Sequence, residues 1–73
     1  MMLTDKYSRS QLENIIFEWI NGLHAERNRQ LVSRRLFDGI TFEQLAEEFE
    51  LSPKQARNIF HTCEEIIFRH MPG

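Results

Sequence analysis

The sequence predicts an all-α domain of four helices, and three observations carry that prediction. Apolar residues recur at three- and four-residue spacing in four separate stretches, the pattern of one buried helix face. No stretch shows the apolar–polar alternation of a half-buried strand. Three capping-box signatures, Ser10 with Glu13, Thr41 with Gln44 and Ser52 with Gln55, mark helix starts. In such a box the hydroxyl oxygen accepts the third helical N–H and the Glu or Gln side chain accepts the cap residue's own N–H, so two otherwise orphaned donors are satisfied.

Residues 1–9 read as a flexible leader, and residues 10–73 as a single helical domain. The first helix follows Ser10 and carries Leu12, Ile15, Ile16, Trp19, Ile20 and Leu23 at helical spacing, with Trp19 in the core. Phe17 lies off that stripe and marks a dimer or partner surface. Asn21-Gly22 is a stop signal. The second helix spans about His24–Phe37, turns Ala25, Leu31, Val32 and Leu36 inward, and ends at Asp38-Gly39. Ile40 precedes the Thr41 cap and staples against Leu45. The third helix, about Phe42–Phe49, buries Phe42, Leu45, Ala46 and Phe49. The fourth, about Pro53–His70, starts with proline at the one helical position where a missing N–H costs nothing. It buries Ala56, Ile59, Phe60, Cys63, Ile66 and Ile67.

A chain of 73 residues has room for one core. A domain of this size buries about 60% of its unfolded surface, so modest stability is expected. No apolar run approaches the roughly 20 residues needed to span a membrane, and the first ten residues lack the apolar centre of a signal peptide. The single cysteine, Cys63, has no internal disulfide partner. These features fit a cytoplasmic protein.

The net charge is −2, and its distribution matters more than its sum. Residues 1–40 carry six Lys/Arg and five Asp/Glu, a balance of +1, while residues 41–73 carry three and six, a balance of −3. Within the acidic half the signs separate. Glu43, Glu47, Glu48 and Glu50 belong to the third helix and the turn after it, whereas Lys54, Arg57 and His61 follow in a stretch with no acid. Arg27, Arg29, Arg34 and Arg35 form a second basic cluster. Glu43, Glu47 and Glu48 form a solvated face or a docking face for a basic partner.

Two short helices joined by a tight turn over residues 41–61, the second displayed, form a helix-turn-helix, a unit that commonly places its second helix in the DNA major groove. Ala46 suits the close crossing of the two helices. On a 3.6-residue period Lys54, Arg57, Asn58 and His61 share the face opposite the buried one. Arg and Lys donate to guanine edges, Asn and Gln pair with adenine, and Ser52 with the free amides beside it suits a phosphate.

The stretch Arg29 to Met71, RQLVSRRLFDGITFEQLAEEFELSPKQARNIFHTCEEIIFRHM, resembles region 4 of the bacterial sigma-70 family, which reads the −35 promoter element. The resemblance rests on a helix ending in a Gly-containing break, a Thr-x-x-Gln-Leu-Ala helix, a Leu-Ser turn and a Ser-x-x-x-Ala-Arg-x-Ile helix. It covers about the C-terminal three-fifths of the chain. It implies a sigma region 4-like fold without a winged element and a recognition helix over about 53–68. It also implies base and phosphate contacts from Lys54, Gln55, Arg57 and Asn58, with Arg34 and Arg35 near the DNA backbone. The chain is similar in form to short sigma-like proteins encoded in prophages and mobile elements of Gram-positive bacteria. Two departures stand out. Glu50 occupies the turn position where the family has glycine, a site of positive φ that costs a side chain about 1 kcal/mol and would distort the turn. Nothing in the chain resembles the sigma region that binds the polymerase clamp.

The expected function is a DNA-binding transcription regulator whose site residues are Ser52, Lys54, Gln55, Arg57, Asn58, His61, Arg34 and Arg35. Double-stranded DNA is the expected partner, RNA polymerase a further one, and a homodimer would double the phosphate contacts. The rival reading is a protein-interaction module that docks on RNA polymerase or an anti-sigma-type partner without touching DNA. No enzyme chemistry is expected, since no phosphate loop, carboxylate pair in an apolar cleft or activated nucleophile is present. No cofactor or metal is expected either: His61 and Cys63 lie two residues apart and point to different sides of a helix.

Overall fold

The computed structural model describes residues 7–71, and over these the chain is all-α. Four helices follow in order: α1 Arg9–Trp19, α2 Ala25–Asp38, α3 Phe42–Glu48 and α4 Pro53–Arg69, with no strand among the described residues. α4 packs against each of the other three, most extensively against α3, and α2 packs against α1 and α3. Thirteen buried apolar residues from these helices and Ile20 form one core cluster. The long helix contributes Ala56, Phe60, Cys63 and Ile67 at alternating four- and three-residue steps, which keeps one narrow stripe facing inward along its length. None of the helices is long and apolar enough to cross a membrane.

The start of α1 differs from expectation. Its cap is Ser8, not Ser10: Gln11 N–H donates to Ser8 Oγ at 3.2 Å, and Ser8 N–H donates to Gln11 Oε1 at 2.9 Å. Two overlapping boxes compete here, and the earlier one leaves Glu13 free to pair with Arg9 at 2.8 Å, one turn away. Tyr7, just before the cap, packs against the core, as the residue preceding an N-cap commonly does. Residues 7–9 of the expected leader therefore belong to the folded domain, and residues 1–6 lie outside the described residues.

The end of α1 differs too. The helix stops at Trp19, before Asn21-Gly22, and Ile20 leaves it in an extended conformation while remaining buried. Leu23 then falls beyond the helical register and is 93% exposed. Trp19, expected in the core, is 42% exposed. Its ring stacks on His70 at 3.7 Å, tying the last residue of α1 to the residue that caps α4.

α2 begins one residue later than expected, after His24, and ends at Gly39, whose φ of 66° is the left-handed conformation that glycine adopts without a side-chain clash. Leu31, Val32 and Leu36 are buried as expected, and Ala25 is half-buried. The boxes at Thr41 and Ser52 both form with all four hydrogen bonds between 2.9 and 3.2 Å. Phe42, Phe49, Ile59 and Ile66 are half-buried rather than enclosed.

The connection between α3 and α4 spans residues 49–52. Glu50 has a φ of 57°, the only positive value at a non-glycine residue among those described. The turn around it is not distorted. Leu51 N–H donates to Ala46 O at 2.8 Å, and Glu50 N–H to Glu47 O at 3.4 Å, the paired bonds of a Schellman motif. Glycine at position 50 removes the steric cost while making the unfolded chain more flexible. Glu50→Gly should therefore raise stability by about 0.5–1 kcal/mol, read as a higher midpoint in urea. A lower midpoint would mean that the added freedom of the unfolded chain, or a stabilising interaction of the Glu50 side chain, outweighs the relieved backbone strain.

Candidate nucleic-acid interface

The buried stripe of α4 dictates what its other side presents. With Ala56, Phe60, Cys63 and Ile67 turned inward, Lys54, Arg57, Asn58 and His61 all emerge on the surface. The structure thus brings these four expected residues together on the first two turns after Ser52. Lys54 and Asn58 have no hydrogen-bond or ion-pair partner among the described residues. Ser52 and Gln55 are also exposed, but they are engaged with each other through the capping box. The Gln55 oxygen already accepts Ser52 N–H at 2.9 Å, so a two-pronged contact to adenine would require the box to open. His61 Nδ1 lies 3.4 Å from Glu64 Oε1.

The basic pair on α2 divides. Arg34 turns toward carboxylates: its guanidinium contacts Glu48 at 2.9 Å and Asp38 at 3.0 Å. The Glu48 hydrogen bond and charge, reinforced by Asp38, raise its pKa further above an already high value. With two acids beside it, Arg34 adds little net positive potential. Arg35 turns the other way. Its Nη1 donates to the Ile40 carbonyl at 2.9 Å, and its guanidinium carbon lies 4.5 Å from the centre of the Phe42 ring.

Phe42, expected in the interior, packs against the core but is only half-buried. It opens α3 and meets Phe60 edge-on at 5.8 Å. Its ring also carries Arg57, whose guanidinium carbon lies 5.5 Å from the centroid, and His61, whose ring is 6.2 Å away. One aromatic ring therefore gathers Arg35 from α2 with Arg57 and His61 from α4. The signal was faint: an aromatic at the first position of a seven-residue helix sits at the rim of a domain, not at its centre.

The other arginines divide between ion pairs and amide contacts, and none of them shares its aromatic ring with a second arginine. Arg9, Arg34 and Arg69 are each in an ion pair. Arg27 contacts Asn28. Arg29 donates to Asn21 at 3.1 Å and lies 4.8 Å from the Phe17 ring. Phe17 is 73% exposed and lines an open groove of about 780 Å³ between α1 and α2, edged by Arg9, Glu13, Arg29 and Glu26.

Cys63 is buried on the inward stripe of α4, and burial pushes its thiol pKa up, partly offset by the charge of Arg27. That is the environment of an inert packing residue. Among the described residues no three His, Cys, Asp or Glu are grouped so as to hold a metal ion. The chain matches no protein-family model, no curated protein and no solved structure.

Proposed function

We propose that the protein is a DNA-binding transcription regulator in which α3 and α4 act as a helix-turn-helix and the N-terminal half of α4 lies in the major groove. One observation carries this reading. In a chain of net charge −2, the exposed start of α4 gathers Lys54, Arg57 and Asn58, joined by Arg35 from α2, and none of these cations has a carboxylate partner among the described residues. Unpaired cations on one face are what a phosphate backbone requires, and a neighbouring amide side chain is what adenine recognition requires. Ala46 on α3 and Ala56 on α4 are both buried, and α3 packs against α4; small buried residues on both helices suit a close crossing. The resemblance to sigma region 4 supports the same reading, with the protein acting in the cytoplasm on promoter DNA, alone, as a homodimer or beside RNA polymerase. We propose no catalytic step for it.

Amide signals followed by NMR while a mixed-sequence duplex is added at low salt test this reading. Shifts concentrated at Ser52–His61 and around Arg35 are expected. Unmoved signals there would refute it.

A second reading is favoured by the groove between α1 and α2. An aromatic side chain as exposed as Phe17 on a domain this small is a feature of protein-contact surfaces. In that reading the protein docks on RNA polymerase or an anti-sigma-type partner. The same titration with the partner protein would then move Phe17 and its surroundings instead.

A further inference from the structure

We propose that Arg35 and Arg57 form a single phosphate clamp organised by the ring of Phe42, so that Arg57 grips the DNA backbone instead of reading a base. This rests on the DNA-binding reading and assigns chemistry within that site. The two guanidiniums come from different helices and lie 4.5 and 5.5 Å from the centre of one ring. Like charges held on one ring repel, and a fold commonly offsets such a pair with a carboxylate. Arg34 has two such carboxylates, Arg9 and Arg69 have one each, and Arg27 and Arg29 contact the amides of Asn28 and Asn21 without sharing a ring with another cation. Arg35 and Arg57 have none among the described residues, and the adjacent Glu43 makes no ion pair with either.

The attraction of the aromatic face holds each cation in place. The bond from Arg35 Nη1 to the Ile40 carbonyl fixes the first of them further. Each guanidinium has five N–H donors. Arg35 uses one on Ile40, and Arg57 makes no hydrogen bond among the described residues. The donors that remain on the two guanidiniums are the ones the proposed phosphate engages, with charge-assisted hydrogen bonds. A base-reading arginine must instead extend from its helix into the groove. Arg57 lies back across α3's first residue. Phe42 is a positioning residue in this arrangement.

The test compares Arg35→Ala, Arg57→Ala, Phe42→Leu and Phe42→Tyr with the parent. Affinity is measured by fluorescence anisotropy on several unrelated duplexes across a range of salt, and helix content is checked by circular dichroism. Each arginine variant should bind every duplex more weakly by the same factor, about tenfold at 50 mM salt, and the slope of log affinity against log salt should shallow by about one. Phe42→Leu should weaken all duplexes alike with its helix content intact, and Phe42→Tyr, which keeps the ring face, should restore binding. Loss confined to one sequence on Arg57→Ala would make Arg57 a base reader and overturn the clamp, as would an unchanged salt slope. If the parent binds no duplex, the DNA reading fails on its own, and inorganic pyrophosphate then tests the clamp. Joint shifts of the Arg35 and Arg57 side-chain N–H signals would sustain a phosphate site for another phosphorylated partner, and their absence would overturn it.

Discussion

Leu45→Ala should destabilise the domain by about 2–5 kcal/mol, the range for truncating a fully enclosed leucine. Leu45 has no exposed surface and is one of only two buried residues that α3 contributes, the other being Ala46. A seven-residue helix has almost no stability of its own, so α3 persists through its caps and this anchor. For a domain of this length total stability is roughly 4–11 kcal/mol, and the variant would lose a large part of it. Urea unfolding followed by circular dichroism reads the effect. Leu23→Ala is the control: its side chain is 93% exposed, and the change should stay within about 0.5 kcal/mol. A loss below about 1 kcal/mol for Leu45→Ala would mean that the site collapses around the smaller residue or that α3 is already loosely attached. The functional consequence follows from the same geometry. Phe42 stands at the start of α3, and the arrangement of Arg35 and Arg57 depends on it. A domain that keeps α1, α2 and α4 while α3 detaches should lose the cationic patch before it loses most of its helix.

What could be read from sequence was what local interactions decide. The boxes at Thr41 and Ser52 form as expected because cap and partner lie three residues apart and no rival hydroxyl competes. At the first helix the expected box of Ser10 with Glu13 gives way to one of Ser8 with Gln11, with Tyr7 reaching the core and Arg9 claiming Glu13. The positive φ of Glu50 was implied by the resemblance, which has glycine at that turn position, but the intact hydrogen bonds around it were not. Leu23 was misjudged because helical spacing was extended past the point where the chain leaves the helix, whereas Trp19, the last residue of α1, stacks on His70 at the rim instead of entering the core. The division of Arg34 from Arg35 was the least legible. Adjacent residues on a helix point about 100° apart, and which one meets Glu48 and which one meets Phe42 depends on how α2 packs against α3. That information is tertiary and belongs to no local window of the sequence.

Salt should separate the two functional readings more sharply than any single substitution. A protein that neutralises a given number of phosphates releases that many condensed counterions, with a slope of about −0.9 per phosphate on a log–log plot. Arg35, Lys54 and Arg57 are the cations that the proposed face presents without a carboxylate partner among the described residues. With Arg35 and Arg57 sharing one phosphate and Lys54 on a second, two neutralised phosphates give a slope of about −1.8, so affinity for duplex DNA should fall about twelvefold between 50 and 200 mM salt. The corresponding free-energy loss is about 1.5 kcal/mol. Arg34 adds little to this count while Glu48 and Asp38 hold it. A slope of about −3.6 would mean that two copies bind together, each with its own face on the backbone. A slope near zero against DNA, with salt-insensitive binding to a protein partner, would remove the DNA reading. The contact would then lie at the groove beside Phe17, where the exposed ring offers apolar surface and the rim carries charges of both signs, so no net release of condensed counterions is expected. The overall charge of −2 does not prejudge the outcome, because at 0.15 M salt the Debye length is about 8 Å. Acids beyond that distance from the start of α4 are largely screened, and the cations within reach of a phosphate decide the slope.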